Sequence, residues 1–101
     1  MFSVLKKWLG RSLRQRPDLH FLMYTRQHCP LCDDAWTLLR THQKERGFTL
    51  DKLDVDAARE LTDKYGEHVP VIMVNGQERF RGRVNPVLLR RLLDANPQAA
   101  G

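Results

Sequence analysis

Two cysteines, three positions apart, set the terms for this chain. They are the only cysteines in 101 residues. They stand in Cys29-Pro30-Leu31-Cys32, directly after the apolar run HFLMYT at 20–25. A pair at this spacing serves a redox dithiol, half of a metal site or two packed thiols. Two cysteines are too few for a secreted disulfide scaffold of this length, which relies on several bridges. The pair fits a reducing compartment, so the expected location is cytoplasmic. What precedes and follows the pair decides among these uses.

The run at 20–25 has the length of a strand buried on both faces. Residues 30–45 follow with Leu31, Ala35, Leu38 and Leu39 at helical spacing, with Pro30 in the first turn and Gly47 as a stop. Residues 48–56 alternate apolar and polar, a second strand with a slip near Lys52. Residues 57–65 predict a short helix closed by Gly66. Two apolar-rich runs then meet at Asn75-Gly76, the turn dipeptide that accepts positive φ at both positions and closes a hairpin. Residues 85–96 predict a last helix capped by Asn85, with Val87, Leu88, Leu92 and Leu93 on its apolar side. The order is β-α-β-α-β-β-α. Strands separated by helices predict parallel pairing, and the Asn-Gly turn adds an antiparallel edge.

Charge is uneven. Residues 1–17 hold Lys6, Lys7, Arg11, Arg14 and Arg16 and no acid, while residues 18–101 hold twelve bases and twelve acids. The balanced body argues against a nucleic-acid-binding face. The basic segment places Phe2, Leu5, Trp8, Leu9 and Leu13 on one helical arc, an amphipathic helix ended by Pro17. Three readings of it stay open: packing on the domain, contact of residues 1–16 with an anionic membrane surface, or a transit-type presequence.

Cys29 falls at the end of a loop, just before the first helix. The unpaired N–H groups there stabilise a thiolate. Arg26 and His28 add positive potential, and Asp33 and Asp34 oppose it. Cys32 lies one turn on, on the same helix face, within reach of the first sulfur. On this reading Cys29 attacks, Cys32 resolves the mixed disulfide, and Pro30 fixes the first turn. The competing readings are inert packed thiols, or a cluster shared between two chains. A zinc ion needs about four ligands, and His20, His28, His42 and His68 show no ligand spacing, so no metal is assigned. In "HVPVIMV", Pro70 opens a strand near the Cys29 end of the sheet. A cis bond there would set the Val69 backbone beside the sulfur, open to an extended peptide or thiol substrate. Local sequence does not itself call for cis.

"CPLC" after an apolar strand, "VP" about forty residues later, and the hairpin with its final helix resemble glutaredoxin. The likeness is to the short bacterial glutaredoxin-like proteins of the thioredoxin fold and covers residues 20–94. It implies Cys29 as nucleophile, Cys32 as resolving thiol, Pro70 as the cis proline and Arg26 as the base facing a glutathione carboxylate. Leu31 stands where the family usually has Tyr or Phe. His68-Val69-Pro70 replaces Thr-Val-Pro. Of the family's Gly-Gly turn only Gly82 remains, with Arg81 at the other glycine. Asn85 stands near the acid that would hold the glutathione amine. Arg79, Arg81 and Arg83 suit either an acidic partner protein or a solvated edge strand.

The expectation is a thioredoxin-like α/β fold, a mixed four-stranded sheet flanked by helices, with an extra N-terminal helix over 1–18, the domain over 19–96 and a disordered tail over 97–101. Its expected function is thiol–disulfide oxidoreduction through Cys29 and Cys32, with His28 and Pro30 supporting and Arg26, Leu31, Val69, Pro70 and Gly82 binding substrate. No cofactor is held tightly. Glutathione or a reductase donates electrons to a monomer that reduces disulfides in proteins or small molecules. The alternative is a non-catalytic redox-sensing module or a carrier of an inter-subunit iron–sulfur cluster.

Overall fold

The computed structural model describes residues 13–96. The elements are β1 (His20–Thr25), α1 (Pro30–Arg46), β2 (Thr49–Asp54), a 3-10 turn (Val55–Ala57), α2 (Arg59–Tyr65), β3 (Val71–Val74), β4 (Gln77–Arg81) and α3 (Pro86–Asp94). The expected order of strands and helices is therefore present, and the four strands form one sheet in the order β2-β1-β3-β4.

The direction of β3 differs from expectation. β1 and β2 are parallel, but β3 runs antiparallel to β1, with Tyr24 opposite Val71, and β4 is antiparallel to β3. The reason is length. α2 has seven residues, about 10 Å of helix, roughly half of what returning along a six-residue strand requires. The chain re-enters the sheet at the end where it left β2. This reversal brings Pro70 to the Cys29 end, because the start of β3 lies beside the end of β1.

The sheet is covered on two sides. One face carries Phe21, Met23, Ile72, Val74 and Phe80, packed with Ala35 and Leu39 of α1 and Leu89, Leu92 and Leu93 of α3. The other carries Tyr24, Val71 and Met73 against Val55, Leu61 and Tyr65. Phe21 stacks on Phe48 at 4.2 Å and Tyr24 on Tyr65 at 4.4 Å between ring centroids. β1 is fully buried only through Phe21 and Met23. Leu22 and Tyr24 are half-buried, because the short α2 covers less of its face.

Two further expectations are corrected. The buried stripe of α3 is Leu89, Leu92 and Leu93, while Val87 and Leu88 are 60% and 49% exposed. Both sets obey helical spacing. The Asn85 side chain, accepting from Val87 and Leu88 N–H at 2.9 and 3.2 Å, starts the helix with those two outward. The N-terminal helix expected up to Pro17 does not include residues 13–18, which are irregular. Residues 1–12, and the tail 97–101, lie outside the described residues.

Arg16, expected on a basic helix, is fully buried. Its Nη1 donates to the carbonyls of Leu92, Leu93 and Ala95, each at 3.0 Å, and Nε and Nη2 bind Asp18. A helix end leaves its last carbonyls without partners and carries partial negative charge, so a guanidinium satisfies both needs. Arg46, at the end of α1, is 3% exposed, pairs with Asp94 at 2.7 Å and donates to the Arg14 carbonyl. The segment before β1 is thereby fastened to the ends of α1 and α3.

Candidate active site

The dithiol is built by the start of α1. Cys29 is the N-cap residue, with extended φ and ψ of −119° and 93°, and Pro30 opens the helix behind it. Its carbonyl accepts from Cys32 and Asp33 N–H. Its sulfur also receives the Cys32 N–H, at 3.2 Å. The sulfur thus occupies the position where a helix start offers unpaired N–H groups. Cys29 and Cys32 are joined in a disulfide, with Cα atoms 5.2 Å apart. Cys29 is half-buried and Cys32 only 1% exposed, so the first cysteine is the more accessible of the two. His28, exposed and in the left-handed region at φ 58°, turns the chain into this cap.

The second wall comes from the start of β3. The Val69-Pro70 bond is cis. Pro70 is buried and Val69 half-buried. Val69 packs, as Cys29 does, against the larger core cluster. The Pro70 carbonyl accepts from Gly82 N–H at 2.8 Å. Gly82 has φ 80°, which a side chain would strain, so glycine here shapes the chain between β4 and α3.

Arg26 is engaged elsewhere. Nε and Nη2 grip both Asp56 oxygens at 2.9 and 3.1 Å, and Nη1 donates to the Gly66 carbonyl. That hydrogen-bonded pair lowers the Asp56 pKa and raises that of Arg26. Arg26, with Thr62, Asp63, Glu67 and His68, lines a recess between β1 and α2. Leu31 is 37% exposed. With Asp34, Ala35 and Leu38 of α1 and with Arg83 and Val84, it lines a cleft of about 130 Å³. Arg81 is held by Glu78 at 2.7 Å. Among the described residues, no group of three or more His, Cys, Asp or Glu side chains converges to hold a metal ion.

The structure therefore gathers Cys29, Cys32, Leu31, Val69 and Pro70 at one end of the sheet and turns Arg26 toward α2. Sequence reasoning missed Asp56 and Gly66 as partners of Arg26, since nothing in their spacing signals it. It also missed Val84 as a neighbour of Leu31, although the arginine run around it was legible.

A partly buried cysteine at a helix start, closing a ring with a buried one at the same end of the sheet as a cis proline, on a β2-β1-β3-β4 sheet, defines a CxxC protein of thioredoxin fold. The chain belongs to the Glutaredoxin-like domain (DUF836) family, whose model matches residues 20–94. It is similar to protein Ne2328 from Nitrosomonas europaea, at 26% identity and TM-score 0.66, over 75% of this chain and 92% of that one. It is also similar to protein XcR50 from X. campestris, at 27% identity and TM-score 0.63, over 76% and 99%. A thioredoxin from Halobacterium salinarum shares the fold, at 21% identity and TM-score 0.56, over 79% of this chain and 75% of that one. No helix among the described residues is long and apolar enough to cross a membrane.

Proposed function

We propose that the chain is a thiol–disulfide oxidoreductase that reduces disulfides through Cys29 and Cys32. The observation that carries this reading is the pair itself: the sulfur of a partly buried Cys29 receiving a helix N–H, bonded to a buried Cys32 one turn on. In the reduced form the Cys29 thiolate attacks a substrate disulfide. A Cys29–substrate bond forms, the substrate bond breaks, and one substrate thiolate leaves. The Cys32 thiolate then attacks Cys29 Sγ, expels the second substrate thiolate and closes the internal disulfide. Two electrons pass to the substrate, and an outside thiol donor returns them.

For that donor we favour a protein dithiol over glutathione. The positions that the family likeness would give to glutathione have internal partners: Arg26 holds Asp56, and the Asn85 oxygen caps α3. Val69, which packs against the same core cluster as Cys29, is the residue we assign to backbone pairing with an extended substrate.

The test is reduction of a small symmetrical disulfide by the pre-reduced protein, followed by thiol release. One dithiol equivalent consumed per disulfide, abolished in Cys29→Ser, is the expected result. Reduction that survives Cys29→Ser overturns the reading, and so does its absence in the unaltered protein.

A further inference from the structure

We propose that the cleft beside the dithiol is a docking site for a protein substrate with an apolar residue next to its disulfide cysteine and an acidic residue beyond. This rests on the oxidoreductase reading above and narrows it to a substrate class.

The recess begins at Leu31, two residues after Cys29 in the first turn of α1. Leu31 stands between the two cysteines, and Ala35 and Leu38 extend the same wall down α1. Val84 closes it from the α3 side. The volume, about 130 Å³, is close to that of an apolar cavity of about 150 Å³ that holds a benzene ring. That suits one aliphatic side chain. Leu31 is 37% exposed at the cleft, and Val87 and Leu88, in the first turn of the helix that follows Val84, are 60% and 49% exposed. Large apolar side chains left open together mark a contact surface.

Charge supplies the second half. From residue 79 to residue 93 the chain carries Arg79, Arg81, Arg83, Arg90 and Arg91 and no acid. Arg81 is neutralised by Glu78. Arg83, at the rim of the recess, has no ion pair among the described residues. Asp34 lines the facing α1 wall, so the cleft is polarised across its width. A bound segment meets negative charge on the α1 side and positive charge on the Arg83 side. An acid past the apolar anchor is therefore placed over Arg83 and away from Asp34. A nucleic acid or lipid surface would leave the single-side-chain recess empty, whereas a polypeptide fills it.

The test uses two ten-residue peptides with a mixed disulfide. In one the disulfide cysteine is followed by Leu and Glu, in the other by Leu and Lys. The unaltered protein is expected to reduce the Glu peptide at least threefold more efficiently, in kcat/KM. Exposed ion pairs are worth up to about fivefold each. In Arg83→Glu the ratio is expected to invert. Because the readout is a ratio of two substrates on one protein, a general loss of activity cancels. Equal efficiencies in the unaltered protein, or a ratio unmoved by Arg83→Glu, overturn the docking site.

Binding is read separately, with the Glu peptide carrying Ser for its cysteine. Amide NMR shifts at Leu31, Val84 and Leu88 support the site, and their absence overturns it. Peptide shifts without reduction of any small disulfide overturn the oxidoreductase reading alone. Reduction of small disulfides without peptide shifts overturns the docking site alone.

Discussion

The amide of Cys32 points at the sulfur of Cys29 from 3.2 Å away, so the residue that closes the ring also presents a hydrogen-bond donor to the sulfur it bonds. The same contact favours negative charge on Cys29 once the bond is opened. In the reduced protein at neutral pH, iodoacetamide should modify Cys29 at least about tenfold faster than Cys32, since thiolate character and exposure both favour it. Mass spectrometry of timed digests reads this directly. Equal rates would remove the assignment of roles.

Cys32→Ser should leave the first attack intact and stall the second. A stable mixed disulfide between Cys29 and the substrate thiol is the expected product, visible as a mass increase that a reductant reverses. Cys29→Ser should give no adduct, because Cys32 is buried.

Arg16→Ala should cost about 3 kcal/mol, read as a lower urea midpoint. It strips a donor from the carbonyls of Leu92, Leu93 and Ala95, two of them on fully or nearly buried residues. Arg16→Lys should recover only part of this, since an ammonium on a flexible stem lacks the planar fork that also binds Asp18.

Asn85→Ala should cost about 1 kcal/mol by removing the cap of α3. Asn85→Asp keeps an oxygen for the same two N–H groups and adds a charge that the helix start favours, so its stability should equal or exceed that of the unaltered protein.

Stability should fall in two steps on acidification. Burial lowers the His42 pKa below 6.5; Glu45 opposes this, while Arg46 and Arg90 add to it. The unfolded chain therefore takes up a proton before the folded one does. The contribution of His42 is full above pH 6.5 and is lost as pH falls toward its folded value. His42→Asn should flatten the slope between about pH 7 and 5. The second step belongs to Asp18, Asp56 and Glu78, whose pKa values are lowered by hydrogen bonds from Arg16, Arg26 and Arg81. Their contribution is present above the unfolded carboxylate values of 3.8 and 4.5 and disappears as pH drops through the lower folded ones.

Local signals in the sequence were read well where one residue type dictates the geometry. Gly47 ends α1 at φ 74°, and Asn75 and Gly76 turn the hairpin at φ 49° and 83°. The cysteine pair at a helix start was legible because the helix period itself brings the two sulfurs together. What escaped was decided at long range. The antiparallel entry of β3 depends on how far α2 can carry the chain. On α3 the expected Leu92 and Leu93 are buried, and what escaped is the first half of the helix, where Leu89 meets the core in place of Val87 and Leu88. Arg16 reads as a base of an amphipathic helix because nothing near it in sequence reveals the carbonyls it meets. The hydrogen bonds of Arg26 were illegible for the same reason: its partner Asp56 is thirty residues away.

The fastening of Arg16 to the end of α3 has a consequence for how the molecule is presented. The strap enters beside Arg46, and α1 then runs 17 residues, about 25 Å, to the dithiol. Residues 14–16 are thus anchored at the opposite end of that helix from the two cysteines.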